Sequence, residues 1–229
     1  MSENKVCVHH RHEECISLVP IFNHLEAEQM KEISQAFRRE AYKKGEIIYH
    51  AGDQSDSLYI VNSGRIRIYR LSESGKQQLV RILQARDFTG ELALFRDSFH
   101  DCYAEAVIDT QVCRIQRADL QDFLLAYPSI SLKFLLEFAN RLEQSEQQTT
   151  RFATVRVDTR IAVYLAECLE GSSAPEFDLP MSKKDVASYL GTTPETISRN
   201  LTHLEERGLI RRKSHRRIEV LDVDGLLRV

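Results

Sequence analysis

Residues 182–208 read SKKDVASYLGTTPETISRNLTHLEERG. Ser182 is followed three residues later by Asp185, a spacing typical of a helix N-terminus. Gly191 then allows a tight turn, and Pro194 suits the first turn of a second helix. Two short helices joined by a glycine turn are the helix-turn-helix pattern. The stretch therefore predicts a small helical module at the C-terminal end of the chain.

The residues that follow predict a β-hairpin. Residues 209–212 and 216–220 are β-type runs on either side of Lys213, Ser214 and His215. Such runs separated by a short polar segment are typical of a hairpin. A hairpin directly after the second helix is the wing of a winged helix, so both parts of that module are present.

The second helix carries side chains that suit base recognition. Glu195, Ser198 and Arg199 have a spacing that places them on one face near the helix N-terminus. Arg199 can donate two hydrogen bonds to guanine, Glu195 can accept one from cytosine, and Ser198 can bond a base or touch a thymine methyl. This face predicts contact with base edges in double-stranded DNA.

Other side chains of the module are suited to phosphate. These candidates are Lys183, Thr192, Thr193, His203, Arg216 and the other wing arginines. Residues 182–217 hold nine Lys and Arg against four Asp and Glu, whereas the whole chain has a net charge of −3. This local excess favours an anionic partner. The alternatives are a basic solvated surface and a winged helix that docks a protein.

The first half of the chain predicts short strands separated by turns. Its turn signals are glycines about ten residues apart, namely Gly45, Gly52, Gly64, Gly75 and Gly90. The intervening and following β-type runs are residues 57–61, 65–70, 79–83, 104–107 and 111–115. Many short strands with turns indicate a jelly roll, sandwich or barrel.

A long helix is predicted after this β-rich region, because residues 129–154 contain neither glycine nor proline. Phe134, Leu135, Phe138 and Leu142 form a narrow apolar stripe at helical spacing. Such a stripe favours pairing with a second copy of the chain. The alternative is a helix packed on its own domain. Residues 158–169 predict a further helix, with Cys168 on its apolar side.

Composition excludes several protein classes. With 229 residues, 42% of them hydrophobic, the chain fits one large or two small folded domains. The N-terminus has no apolar signal region and no stretch is long enough to span a membrane, so we expect a cytoplasmic protein. Five cysteines cannot form a complete set of intrachain disulfides. Walker, G-x-S-x-G and H-E-x-x-H motifs are absent from the sequence, which argues against an enzyme.

The run Glu195-Thr196-Ile197-Ser198-Arg199 resembles the E-x-x-S-R signature of the FNR branch of the cyclic-AMP receptor/FNR family. The order of segments is also similar to that family, and the N-terminus resembles FNR-like (FLP-type) proteins of Gram-positive bacteria. The resemblance implies an α+β fold with a cyclic-nucleotide-binding-like β-roll, a long dimerisation helix and a C-terminal winged helix-turn-helix.

The resemblance further implies a homodimeric transcription regulator. Its DNA site would be a promoter palindrome related to TTGAT-N4-ATCAA, and its protein partner would be RNA polymerase. The corresponding segments are an N-terminal Cys/His-rich arm at 1–16, the β-roll at 17–127, the dimerisation helix at 128–155 and the DNA-binding domain at 156–229.

Gly90, Glu91 and Leu92 begin a segment that resembles the phosphate-binding cassette of the family. Cyclic-nucleotide members follow it with an Arg-Ser or Arg-Thr pair, but Asp101 and Cys102 stand here instead. Because an aspartate repels phosphate, we expect cyclic AMP not to bind, although Arg96 offers a substitute cation. Together with His100, Asp101 and Cys102 either line an effector pocket, hold a metal, or form an ordinary loop.

The N-terminus contains metal-ligating residue types within nine positions, namely Cys7, His9, His10, His12 and Cys15. By resemblance to FNR-type oxygen sensors, Cys113 matches their β-roll cysteine, but the family's C-x2-C pair is missing. Three chemistries remain open: a zinc or copper site, a thiol switch such as a Cys7–Cys113 disulfide, and an iron–sulfur cluster with mixed ligands. The fourth alternative is a His-rich tail with inert thiols.

Overall fold

The computed structural model describes residues 16–73, 75, 77–169 and 174–229, with the side chains of residues 93, 94, 151 and 152 left aside. The chain divides into two compact units, Met1–Arg141 and Leu142–Val229, and the boundary in the sequence falls within one long helix. In the part of the chain described, no helix combines the length and apolarity needed to cross a membrane.

The first unit is built around antiparallel sheets. One has the order β1-β10-β4-β7, another β2-β9-β5-β6, and a short pair joins β3 to β8. The strands are β1 (Arg38–Tyr42), β2 (Ile47–Tyr49), β3 (Gln54–Ser55), β4 (Ser57–Ser63), β5 (Ile66–Leu71), β6 (Gln77–Leu83), β7 (Phe88–Thr89), β8 (Ser98–Phe99), β9 (Tyr103–Ala106) and β10 (Thr110–Gln116). The predicted β-roll is therefore confirmed.

Helical segments complete this unit. They are α1 (Ala27–Ala36), a 3₁₀ segment (Glu91–Leu94), α2 (Arg117–Ala126) and the part of α3 (Pro128–Thr154) up to Arg141. All five β-type runs of the sequence are strands, with ends shifted by one or two residues. Sequence patterns missed α1, α2, the five-residue strand β1 and the shorter strands β2, β3, β7 and β8. Strands of two or three residues are too short to show a period-two pattern.

Strand β10 separates two apolar cores, since successive side chains of a strand point to opposite faces. Cys113 and Ile115 are fully buried with Ile130 and Phe134 of α3 on one side. Val112 points to the other side, where it packs in the interior of the roll with residues such as Ile66. The helices thus cover one face of the sheet, and the roll encloses the other.

The stripe predicted on α3 is split between two environments. Phe134 is only 1% exposed and its ring packs edge-on against Phe88, with the centroids 5.5 Å apart. Phe138 also packs against this core. By contrast, Leu135 and Leu142 are each 61% exposed. The assignment of Phe134 to an intermolecular face is therefore wrong, because that side chain is buried within its own β-roll.

The second unit is a winged helix. Its elements are α4 (Val157–Leu169), β11 (Glu176–Asp178), α5 (Lys183–Tyr189), α6 (Pro194–Glu206), β12 (Ile210–Arg212), β13 (Arg217–Val220) and α7 (Val223–Leu227). Strands β12 and β13 form the predicted wing, and β11 adds a third strand that sequence patterns missed. Cys168 packs against the apolar core of this unit, as predicted.

Candidate nucleic-acid interface and sensor sites

Side-chain caps mark the N-terminus of each helix of the helix-turn-helix. Ser182 Oγ accepts a hydrogen bond from the Asp185 N–H at 3.2 Å at the start of α5. Thr193 Oγ1 accepts one from the Thr196 N–H at 3.3 Å at the start of α6. Gly191 between them has φ +64°, a left-handed conformation that glycine adopts without strain. The caps and the turn therefore define where α6 begins.

The apolar face of α6 orients its polar face outward. Ile197, Leu201 and Leu204 are buried in the core of the unit. Glu195, Ser198 and Arg199 are consequently all exposed. The three residues proposed to contact bases thus share one accessible surface near the N-terminus of α6.

Glu195 is held in its ionised form. Hydrogen bonds from its own backbone N–H and from Thr193 lower the pKa of its carboxyl below the usual value. An ionised carboxylate can only accept hydrogen bonds, which is the property required to pair with the amino group of cytosine.

The predicted phosphate contacts have different local roles. His203 is exposed, whereas Lys183 and Thr192 are only partly exposed. The Thr193 hydroxyl serves as the cap of α6. Arg216 lies in the wing but donates a hydrogen bond of 2.7 Å to the carbonyl of Leu179. His203 thus lies on α6 and Thr193 is its cap, whereas Lys183, Thr192 and Arg216 lie on segments that precede or follow α6.

Most of the wing cations have carboxylate partners, which the sequence did not indicate. Glu219 pairs with Arg211 at 3.2 Å and with Lys213 at 3.1 Å. Arg217 pairs with Glu176, and Arg212 with Glu205. Glu176 and Glu219 lie outside residues 182–217, so the excess of positive charge in that stretch does not include them. The carboxylates of Glu219, Glu176 and Glu205 neutralise part of the positive potential of the wing.

The segment resembling a phosphate-binding cassette begins with a backbone that requires glycine. Gly90 has φ +87°, and a Cβ there would lie 2.2 Å from the carbonyl oxygen of Ser57. Glu91 follows and pairs with Arg81 at 3.0 Å and with Arg141 at 2.7 Å. Leu92 is half exposed. Internal ion pairs thus already engage the carboxylate of this segment.

Asp101 is engaged by its neighbours rather than lying open. It pairs with Arg70, and the Cys102 thiol donates to its Oδ1 at 3.1 Å. Burial opposes ionisation of Asp101, but these hydrogen bonds outweigh burial and lower the pKa of its carboxyl. Burial raises the pKa of Cys102 to about 11, so its thiol is protonated near neutral pH. Asp101 therefore carries a negative charge that is paired with Arg70.

His100 lies apart from this pair. Its ring stacks on Tyr49 with centroids 3.7 Å apart, and burial lowers the pKa of its imidazole. Asp101 and Cys102 are thus hydrogen-bonded to each other, whereas His100 packs on Tyr49, and all three residues precede β9. Within the described ranges, no group of three or more His, Cys, Asp and Glu is arranged to bind a metal ion.

The predicted metal or redox residues fall largely outside the described part of the chain. Cys7, His9, His10, His12 and Cys15 all belong to residues 1–15. Cys113 is fully buried on β10, beside Ile60 of the neighbouring strand. Its side chain belongs to the apolar core that includes Ile115 and Phe134.

Comparison with known proteins matches both units. A model described as "Cyclic nucleotide-binding domain" covers residues 39–127, and a "Crp-like helix-turn-helix domain" covers residues 159–229. The chain is 31% identical over 212 residues to "Probable transcriptional regulator flp" of Lacticaseibacillus casei, covering 93% of this chain and 96% of that protein. It is 33% identical to "Nitrogen fixation regulation protein FixK" of Rhizobium meliloti, covering 81% and 83%.

A solved structure extends this likeness to the fold. The structure of FixK2 from Bradyrhizobium japonicum has a TM-score of 0.74 and 28% identity, over 84% of this chain and 96% of that chain. These relatives are regulators rather than enzymes, which confirms the prediction against enzymatic activity. By sequence, domain content and fold, the chain belongs to the cyclic-AMP receptor/FNR (CRP/FNR) family of DNA-binding transcription regulators.

Proposed function

We propose that the protein acts as a homodimer that reads an FNR-type palindrome, TTGAT-N4-ATCAA or a close relative, in promoter DNA. The observation that carries this proposal is the common exposed face of Glu195, Ser198 and Arg199 on a helix capped by Thr193. This donor and acceptor set matches guanine, cytosine and thymine in the major groove. RNA polymerase is the protein partner that the family membership implies.

Pairing of two chains is supported by the outer face of α3. Leu132, Leu135, Leu136 and Leu142 are all more than 60% exposed in the single chain. Exposing four large apolar side chains to water is unfavourable, and packing against a second copy of the helix would bury them. Two copies would also present two α6 helices to the two halves of a palindrome.

Fluorescence anisotropy with the palindrome and a scrambled duplex tests the proposed DNA site. Arg199→Ala should remove most of the preference for the palindrome, by about ten- to a hundred-fold, since a bidentate base contact contributes about 1–3 kcal/mol. Arg207→Ala is the matched control, because it removes the same charge from the exposed far end of α6. Tight, sequence-selective binding by Arg199→Ala would contradict the assignment.

We further propose that zinc, copper or thiol redox state controls this binding through Cys7, Cys113, Cys15 and the nearby histidines His9, His10 and His12. The residue types support this, because thiolate and imidazole suit both metals. An iron–sulfur cluster is the weaker alternative, and the ion pair of Asp101 disfavours cyclic AMP. Elemental analysis and thiol counting on untagged protein purified with and without oxygen test the proposal. Metal-free protein with unchanged thiols and full DNA binding would contradict it.

A further inference from the structure

Two guanidinium groups from distant parts of the chain meet on Glu91. Arg81 of β6 donates to Glu91 Oε1 at 3.0 Å and lies 3.4 Å from Oε2. Arg141 of α3 donates to the same Oε1 at 2.7 Å. The Glu91 side chain is 15% exposed, so these charge-assisted hydrogen bonds form in a largely water-excluded place. The 3₁₀ segment is thereby connected to the sheet and to the long helix.

Arg81 also reaches the neighbouring hydroxyl. Its Nη2 lies 3.4 Å from Thr89 Oγ1, and that oxygen is 2.8 Å from the hydroxyl of the buried Tyr49. Glu91 and Thr89 are the polar side chains at the two sides of Gly90 in the cassette-like segment. One arginine of the chain therefore engages the polar side chains on both sides of Gly90.

Arg141 is held on several sides. Its Nε donates to Glu137 at 2.9 Å and its Nη2 to the Phe88 carbonyl at 3.3 Å. Its guanidinium carbon also lies 4.1 Å from the centre of the Phe88 ring, a cation–π arrangement. Since Phe88 directly precedes Thr89, this arginine attaches α3 to the same short segment that Arg81 contacts.

Carboxylates of the chain itself face the two guanidinium groups. Arg81 and Arg141 stand against Glu91 and Glu137, and Asp87 lies close enough to interact with both arginines. A phosphate or carboxylate entering here would displace existing ion pairs and meet acidic groups. The carboxylates of the cluster therefore disfavour binding of an anionic effector. The arginines of the chain already supply the positive charge that pairs with them.

We propose that Arg81 is a built-in ligand of the cassette-like segment: it occupies Glu91 and Thr89 in place of a small molecule, so that the β-roll holds residues 137–141 of α3 without an effector at this position. Arg81 is thus a positioning residue that acts through Glu91 and Arg141. This inference goes beyond the proposed DNA site and does not depend on it.

Hydrogen exchange of the full chain without DNA tests the proposal. Arg81→Ala should raise amide exchange several-fold in peptides covering residues 88–95 and 134–141, because both lose their connection to β6. Arg96→Ala is the control, since it removes an exposed guanidinium from the same segment and should leave both peptides unchanged. Arg81→Lys should protect them only in part, because an ammonium lacks the planar fork of arginine.

Chemical rescue separates a ligand role from a merely structural one. Methylguanidinium at millimolar concentration should restore protection in Arg81→Ala, whereas sodium chloride of equal ionic strength should not. Glu91→Gln provides the second variant if Arg81→Ala fails to fold. It should raise amide exchange in the same two peptides, and methylguanidinium should not restore their protection. Unchanged exchange in folded Arg81→Ala, failure of rescue, or protection of the parent protein by cyclic AMP would each overturn the proposal.

Failure of this inference is distinguishable from failure of the proposed function. The exchange experiment contains no DNA, and the palindrome is tested separately with the parent protein. If the parent protein binds the palindrome but Arg81→Ala shows unchanged exchange, the proposed function stands and the role of Arg81 is refuted. If the parent protein does not recognise the palindrome but Arg81→Ala shows the expected exchange, the role of Arg81 stands and the proposed DNA site is refuted.

Discussion

Glu205, at the C-terminal end of α6, holds Arg212 in the first strand of the wing. Its Oε1 accepts the Arg212 backbone N–H at 2.7 Å, and its Oε2 accepts the side-chain Nε at 2.7 Å. The carboxylate therefore joins the helix proposed to read bases to the hairpin that follows it. Both side chains are about one-third exposed, so this pair positions the wing more than it stabilises the fold.

Replacing Glu205 should loosen the wing. We expect Glu205→Ala to weaken DNA binding several-fold while lowering the free energy of unfolding by about 1 kcal/mol or less, as for other exposed pairs. Anisotropy titration and thermal unfolding measure the two effects. Glu206→Ala, which removes an adjacent exposed carboxylate, is the control. Equal DNA affinities of the Glu205 and Glu206 variants would show that the wing is held by other contacts.

The same pair predicts a pH dependence. Hydrogen bonds from the backbone and side chain of Arg212 lower the pKa of Glu205 below its ordinary value of 4.5. The stabilisation is therefore present above the ordinary pKa and is lost as pH falls through the lowered pKa. The stability difference between the parent and Glu205→Gln should shrink when thermal unfolding is repeated from neutral to acidic pH. A constant difference would contradict the ionic contribution.

Asp87 should be destabilising at neutral pH. Burial raises the pKa of this carboxyl, despite the nearby arginines. A raised pKa means that the stabilisation is present below the ordinary pKa and is lost as pH rises through the raised value. Asp87→Asn keeps an oxygen for the N–H of Gln84, which donates at 2.7 Å. The variant should unfold at a higher temperature than the parent at pH 7 and lose this advantage near pH 4. A lower unfolding temperature at pH 7 would refute the prediction.

Dimerisation should depend on the exposed face of α3. Leu135→Glu places a charge on that face, and we expect the monomer–dimer dissociation constant to rise at least about tenfold, equivalent to about 1.4 kcal/mol. Sedimentation velocity measures the change. Leu125→Glu is the matched control, because Leu125 is 82% exposed on α2. If both variants sediment like the parent, α3 does not mediate the association.

Replacing Gly90 should destabilise the protein for two reasons, its left-handed backbone and its close approach to Ser57. A control variant can separate the two. Gly90→Ala places a Cβ 2.2 Å from the Ser57 carbonyl oxygen at φ +87°. Gly75→Ala meets a similar φ of +75°, but nothing lies within 4 Å of its Cβ. The left-handed backbone alone costs about 1 kcal/mol, so Gly90→Ala should destabilise clearly more than Gly75→Ala. Equal unfolding midpoints of the two variants in denaturant would show that the close approach to Ser57 adds no cost.

Local signals made the winged helix predictable. Ser182, Asp185, Gly191 and Pro194 each act on the backbone within a few residues, and the structure places helix starts and the turn where they indicate. The longer strands were predictable for the same reason, since alternation along β5 is a property of that segment alone. Strands as short as β3 or β7 exist only because a partner strand lies beside them, which no local pattern encodes.

The sequence by itself determined the family, the order of segments and the residue types that face outward on α6, because periodicity and capping are short-range. Tertiary structure alone decided that Phe134 is buried while Leu135 beside it is exposed. It also decided that Arg81 and Arg141, 60 residues apart, share one carboxylate. The physical reason is that burial and ion pairing depend on which distant segments meet, and helical spacing is identical whether a stripe faces its own β-roll or another chain.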